Sequence, residues 1–263
     1  MKFNLGSLHD LKAVGGSMSR AVDKRLIEVQ DRVRDHFGWA YSDDLQSARA
    51  LMEACEAHPR ALELGWDTQG REAMLGGLQE LLLNAPHVVL IGAAVQPSDL
   101  ERQWPEGTVF VAADGAVGAC FDIVEPTCVV SDLDGGIHLE EAIRRRIPLI
   151  IHAHGDNMDT WQRFLKHWTD GPAPRLLFTH QTHENIRGSH NVGGFTDGDR
   201  AVCFVSWMGV SNDRMELVGY ATTHVGEWSG TTNVERKLAK LEWMAEVLDL
   251  ILPDWRERGR TYA

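Results

Sequence analysis

HVVLIGAAV (87–95), TVFVAAD (108–114), TCVVSD (127–132), PLIIHAH (148–154), RLLFTH (175–180) and AVCFVSW (201–207) are short apolar runs rich in β-branched residues. Most end on glycine, aspartate or histidine. Runs of this kind read as strands buried on both faces. Helical patterns lie between several of them, notably HLEEAIRRRI (138–147) and DNMDTWQRFLKHWTD (156–170). Strands alternating with helices imply an α/β fold, a mainly parallel Rossmann-like sheet with helices on both faces. Right-handed crossovers then bring the C-terminal ends of the strands to one edge, where open α/β sheets bind ligands.

Upstream of the first run the pattern is helical. SDDLQSARALMEACEAH (42–58) and REAMLGGLQELLLN (71–84) space their apolar residues at three and four. Ser42 or Asp43 is placed to cap the first of these, and Asn84-Ala85-Pro86 stops the second because proline lacks a donor and biases its predecessor away from helix. NVERKLAKLEWMAEVLDLIL (233–252) reads as a final amphipathic helix. The organisation expected is an N-terminal helical region, 1–85, followed by a Rossmann-like catalytic domain, 86–263.

The 263 residues, 43% hydrophobic and 24% charged, exclude global disorder. Twenty-six Lys and Arg against 38 Asp and Glu leave a net charge of −12, which repels nucleic acid and anionic lipid surfaces. The four cysteines, 55, 120, 128 and 203, form no C-x-x-C pair, so buried reduced thiols are expected rather than a redox dithiol or zinc knuckle. Charges and glycines interrupt MKFNLGSLHDLKAVGG, and no apolar stretch approaches the length of a membrane span. A cytoplasmic protein is the expectation. Nine tryptophans suggest a possible homodimer.

Polar residues cluster where the expected strands end: Asp114, then Asp132 and Asp134, then His152, His154 and Asp156, then Thr179 and His180. A carboxylate at the end of a buried strand is held rigidly and faces the crevice, which suits an oxygen-ligated cation; each taken alone also suits a helix cap. SDLDGG (131–136) places two carboxylates two residues apart, with glycines that permit close ligand approach. It is similar to the first motif of haloacid-dehalogenase-type phosphatases and to the D-x-D of sugar-nucleotide transferases, but Gly136 and the two preceding strands depart from the former. HAHGDN (152–157) partly matches the H-x-H-x-D of dinuclear zinc hydrolases, with Asn157 where a further histidine is expected. NVGGFTDGDR (191–200) offers backbone N–H groups to phosphate, Asp197 or Asp199 to a cation and Arg200 to negative charge, or else forms a plain tight turn. Gly92 ends the first strand with room for a nucleotide.

Taken in order, VLIGAA (89–94), AADGA (112–116), VVSDLDG (129–135), HAHGDN (152–157), the THQ of 179–181 and NVGGFTDGDRAV (191–202) resemble the archaeal 6-hydroxymethyl-7,8-dihydropterin pyrophosphokinases, a family related in fold to thiamine pyrophosphokinases. The resemblance covers roughly residues 86 to 255; Val192 stands where an aromatic residue is expected. It implies transfer of diphosphate from ATP to the hydroxymethyl group of a reduced pterin, with release of AMP, in pterin cofactor biosynthesis. It further implies a magnesium ion held by Asp132, Asp134 and Asp156, with Asp114 and Asp199 as further ligands or pterin contacts. Asn157, Thr179, Gln181 and Arg200 become phosphate or substrate contacts, and Lys237 on the last helix reaches ATP. Other readings are a diphosphokinase with another acceptor such as thiamine, a metal-dependent phosphohydrolase, and a non-catalytic nucleotide-binding module.

Overall fold

Successive residues of the first strand, β1 (Val88–Ile91), enter opposite cores: Val88 and Leu90 pack into one apolar cluster, Val89 and Ile91 into the other. Burial on both faces is the reason the run is apolar without alternation. A computed structural model describes residues 21–230 and 233–262. Residues 1–20, the start of the expected helical region, lie outside the described residues.

Among the described residues seven strands form one sheet. They are β1, β2 (Val109–Ala113), β3 (Cys128–Ser131), β4 (Leu149–Ala153), β5 (Leu176–His180), β6 (Met215–Ala221) and β7 (Gly259–Tyr262), ordered β5-β4-β3-β2-β1-β6-β7 with every neighbouring pair parallel. The helices are α1 (Lys24–Phe37), α2 (Tyr41–Glu56), α3 (Ala61–Leu64), α4 (Thr68–Asn84), α5 (Pro97–Leu100), α6 (Gly136–Arg144), α7 (Met158–His167), α8 (Asp197–Met208) and α9 (Val234–Ile251). One face of the sheet is covered by α1, α4, α8 and α9. The other is covered by α2, α3, α5, α6 and α7, together with the 3-10 segment Asp114–Cys120. The doubly covered parallel α/β sheet is the architecture expected from the strand pattern.

One expected element is different. AVCFVSW (201–207) lies within α8 rather than in a strand. Thr196 and Asp199 form a reciprocal capping box at its start, and Gly209, at φ +102°, ends it in the left-handed region. An unbroken apolar run fits a helix buried on most sides as well as a buried strand, and here the caps decide. The sixth strand falls instead on MELVGYA (215–221), which the sequence pattern did not single out.

The N-terminal helices share these cores. Leu26, Val29 and Val33 of α1 are buried with residues of α8 and α9, each contributing about 1.5–3 kcal/mol relative to exposure. On the opposite face, Leu51 and Met52 of α2 pack with Trp161 and Phe178, and Trp66 meets Trp168 edge to face at 5.7 Å. All four cysteines are buried and unbridged, and burial pushes the Cys55, Cys120 and Cys128 thiols up to about 12. Among the described residues no helix is long and apolar enough to cross a membrane.

The strand order fixes where a crevice opens. From β1 the chain proceeds to β2 on one side, whereas from β6 it proceeds to β7 on the other. The crossovers diverge between β1 and β6, leaving the crevice of a topological switch point outside their C-terminal ends.

Candidate active site

At that edge lies an open cleft lined by Gly92 to Ala94 after β1, Asp114 after β2, Asp197 and Gly198 at the start of α8, Tyr220 of β6, and Lys237, Leu241 and Met244 of α9. Gly92 is needed for backbone approach: a Cβ there would stand 2.7 Å from the Gly219 carbonyl oxygen of β6.

Carboxylates gather beside this cleft. Asp114 leaves β2 at φ +45°, a conformation that aspartate tolerates better than most residues. Its Oδ1 accepts a 2.5 Å hydrogen bond from Ser131 Oγ, which in turn accepts from the Leu133 N–H at 2.8 Å. The turn after β3 is thereby tied to the end of β2, and one oxygen each from Asp114, Asp132 and Asp134 come within 4.8 Å of one another. Gly135 completes the turn because a Cβ there would lie 2.7 Å from the Asp114 carboxylate.

Crowded carboxylates repel. Burial raises the Asp114 carboxyl well above its ordinary range, and the neighbouring Asp197, Asp134 and Asp132 raise it further. Asp197 is raised likewise, by burial and then by Asp132. Burial and Asp132 also raise Asp134. Asp132 goes the other way: burial would lift it, but the hydrogen bond and charge of His154, whose Nε2 is 3.3 Å from Asp132 Oδ2, outweigh this and hold it ionised. Its second oxygen, Oδ1, is buried with no hydrogen-bond partner. An orphaned buried carboxylate oxygen among hard oxygen donors fits a divalent cation such as magnesium, and not a nitrogen- or sulfur-ligated zinc.

The other expected site residues separate into distinct roles. Asp156 is not among the gathered carboxylates; it stands at the rim, 59% exposed, 3.5 Å from Arg236 of α9. Asp199 is engaged in capping α8: it accepts from the Phe195 and Thr196 N–H groups at 2.6 and 2.7 Å and from Thr196 Oγ1 at 2.5 Å. Its neighbour Asp197 faces the cleft instead. Asn157 is a clamp: its amide donates to the carbonyls of Asp132 and His152 at 3.0 and 2.6 Å and its oxygen accepts the His154 N–H at 3.0 Å. Thr179 and Gln181 are buried against His152, at 3.1 and 3.4 Å from its two ring nitrogens. Arg200 is also buried; it donates to the Phe195 carbonyl at 2.8 Å, approaches Asp197 to 3.5 Å and leaves Nε without a partner. Lys237 lines the cleft.

Sequence reasoning missed Asp44 and Arg34, both buried. Asp44 accepts from Gly155 N–H at 2.9 Å and from Gln181 Nε2 at 2.8 Å, and Arg34 donates to the Gln181 carbonyl at 2.7 Å. A charge within a helix that buries it was the available signal.

Fold and site together define an open, doubly wound α/β protein with an acidic crevice at the switch point of its sheet. No protein-family model matches the chain. Among curated proteins, it is 34% identical over 190 residues to the 6-hydroxymethyl-7,8-dihydropterin pyrophosphokinase of Pyrococcus furiosus, spanning 69% of this chain and 78% of that protein. It is 32% identical over 171 residues to the protein of the same name from Methanothermobacter thermautotrophicus, spanning 60% of this chain and 67% of that one. To the protein of that name from Methanocaldococcus jannaschii it is 34% identical over 99 residues, 37% of this chain and 40% of the other. The chain belongs to the 6-hydroxymethyl-7,8-dihydropterin pyrophosphokinase family.

Proposed function

We propose that this protein transfers diphosphate from ATP to the hydroxymethyl group of 6-hydroxymethyl-7,8-dihydropterin. The substrate hydroxyl oxygen bonds to the β-phosphorus, the bond from that phosphorus to the α,β-bridging oxygen breaks, AMP departs and the hydroxyl proton is released. The observation that carries this reading is the orphaned Asp132 oxygen in a carboxylate trio at the switch point, in a chain of the pyrophosphokinase family.

Asp114, Asp132 and Asp134 are the residues that would hold magnesium, with Asp197 beside them. When bound, the ion supplies neutralisation of phosphate charge. The chain's own residues supply position. Ser131 and Gly135 fix Asp114, His154 keeps Asp132 ionised, and Lys237 brings positive charge to the cleft. Phosphoryl chemistry of this kind asks a protein chiefly for placement and charge, which rigid strand ends provide.

The test is an acceptor screen with ATP and magnesium, reading AMP separately from ADP and inorganic phosphate. AMP formed stoichiometrically with the pterin diphosphate is the expected result. AMP appearing only with thiamine, or phosphate released without any acceptor, overturns it.

A further inference from the structure

Lys237 and Lys240 lie one turn apart on α9, on the side that carries the cleft residues Leu241 and Met244. Among the described residues neither ammonium has a carboxylate within 4.0 Å, although both feel the cluster opposite: Lys237 acts on Asp134 and Asp197, and Lys240 interacts with Asp132 and Asp197. Lys240 is half-buried, its nitrogen 5.6 Å from the centre of the Trp39 ring and 5.7 Å from that of Phe195. The two rings are 6.1 Å apart, and Phe37 stacks on Trp39 at 4.8 Å. An ammonium held between aromatic faces keeps a fixed place without an ion-pair partner.

That arrangement is unusual on a helix with nearby acids. A lysine needed only to balance the carboxylates would gain most by contacting one of them. Lys237 faces Asp114 and Asp197 across the cleft they line together, and Lys240 stands one turn further along the same side of α9. A ligand of alternating charge fills such a cleft: a divalent cation against the acids, and an extended polyanion between that cation and the lysines.

Resting on the diphosphokinase reading, we propose that Lys240, caged by Trp39 and Phe195 and acting with Lys237, is a polyphosphate-binding residue that holds the β- and γ-phosphates of ATP against α9. The adenosine end of the nucleotide is then independent of Lys240, and so is AMP once formed. Release of the diphosphate to the pterin leaves AMP without this contact, so the lysine discriminates substrate from product.

Calorimetric titration of the full chain tests the assignment without turnover, using magnesium with α,β-methylene-ATP, magnesium with inorganic pyrophosphate, and AMP alone. Lys240→Gln is expected to weaken the analogue and pyrophosphate about tenfold or more while shifting AMP less than twofold, and Lys240→Arg to recover most of the loss. Thermal melts of each variant show whether the fold is retained; if Lys240→Gln fails to fold, Lys240→Met and Lys240→Arg carry the comparison. Equal weakening for all three probes, or none for the analogue, overturns the Lys240 assignment alone. A wild-type chain that binds neither polyphosphate probe overturns the diphosphokinase reading and this assignment with it.

Discussion

Gln181 donates its side-chain amide to the Asp44 carboxylate at 2.8 Å, joining the end of β5 to α2 across 137 residues of chain. Because an ionised carboxylate only accepts, this bond orients the amide and turns its oxygen toward His152 Nε2 at 3.4 Å. His152 is kept neutral by burial and then by the nearby Arg200, and the Gln181 oxygen facing Nε2 suits the tautomer with its proton there, leaving Nδ1 3.1 Å from Thr179 Oγ1. The other Asp44 oxygen holds the backbone of Gly155, next to the histidine that touches Asp132. The N-terminal helices thus buttress the loop after β4.

Removing Asp44 leaves Gly155 N–H and Gln181 without their acceptor and Arg34, itself buried and 3.4 Å from Asp44, short of one partner. Asp44→Ala is expected to destabilise the fold by about 2–4 kcal/mol. Urea denaturation of Asp44→Ala, Gln181→Ala and the double variant measures this. A coupling energy near zero between the two sites would show that the bond does not join them energetically.

The acid limb of stability is set in part by His180. Its ring is buried, with Nδ1 accepting from Thr182 N–H and Oγ1 at 3.2 and 3.0 Å, and burial, aided by His190, lowers its pKa to about 4. Unfolded, the same imidazole takes a proton near pH 6.5. Between these values the unfolded chain binds the extra proton, so stability is full above about pH 6.5 and is lost as pH falls toward 4, by roughly 3 kcal/mol for this group. His180→Asn retains an acceptor at the Nδ1 position and does not titrate. Its urea midpoint is expected to fall less than wild type between about pH 7 and pH 4.5; parallel curves would remove His180 from the account.

Much of this architecture is legible from residue order alone, because five of the seven strands are apolar runs closed by a turn or a charge. The failures share a cause. AVCFVSW is apolar throughout because α8 is buried, and periodicity carries no information once every face is covered. Thr196 and Asp199 were the better signal, a capping box four residues long, and reading Asp199 as a ligand hid it. In HAHGDN the residue types are right for a polar site but their division of labour depends on direction: His154 reaches Asp132, Asn157 turns back to clamp two strands, and Asp156 points to Arg236 at the rim. Spacing along the chain does not encode which way a side chain leaves a turn.

Asp197 and Asp199 provide a contrast within one turn of helix. Asp199 satisfies three donors at the start of α8, so Asp199→Ala is expected to cost about 1–3 kcal/mol in denaturation experiments. Asp197 faces the cleft carboxylates and makes a single long contact to Arg200, so Asp197→Asn is expected to keep wild-type stability or exceed it while lowering AMP production at least tenfold. Reversal of the two phenotypes would return the cation role to Asp199.

Asp114 tests the link between charge repulsion and metal binding. Its carboxyl is raised by burial and by three acidic neighbours, so the folded chain holds that proton more tightly than the unfolded one. Stability from this group is therefore present below the ordinary carboxylate pKa and declines as pH rises through the higher folded value. At neutral pH the fold therefore bears the cost of keeping this carboxyl buried among other acids. Asp114→Asn keeps the side-chain volume, suits the positive φ, and can still accept from Ser131 while donating toward a neighbouring carboxylate. Without divalent ions the variant is expected to melt above wild type at neutral pH, and the difference should vanish on acidification below about pH 4. Magnesium should reverse the order, since wild type gains the free energy of binding and the variant gains less. Turnover of the variant is expected to drop by about two orders of magnitude, the scale for losing one preorganised charge contact. Melting curves at two pH values, with and without magnesium, check all of this together; a variant that melts below wild type without the ion and responds equally to magnesium would place Asp114 in the fold rather than in the cation site.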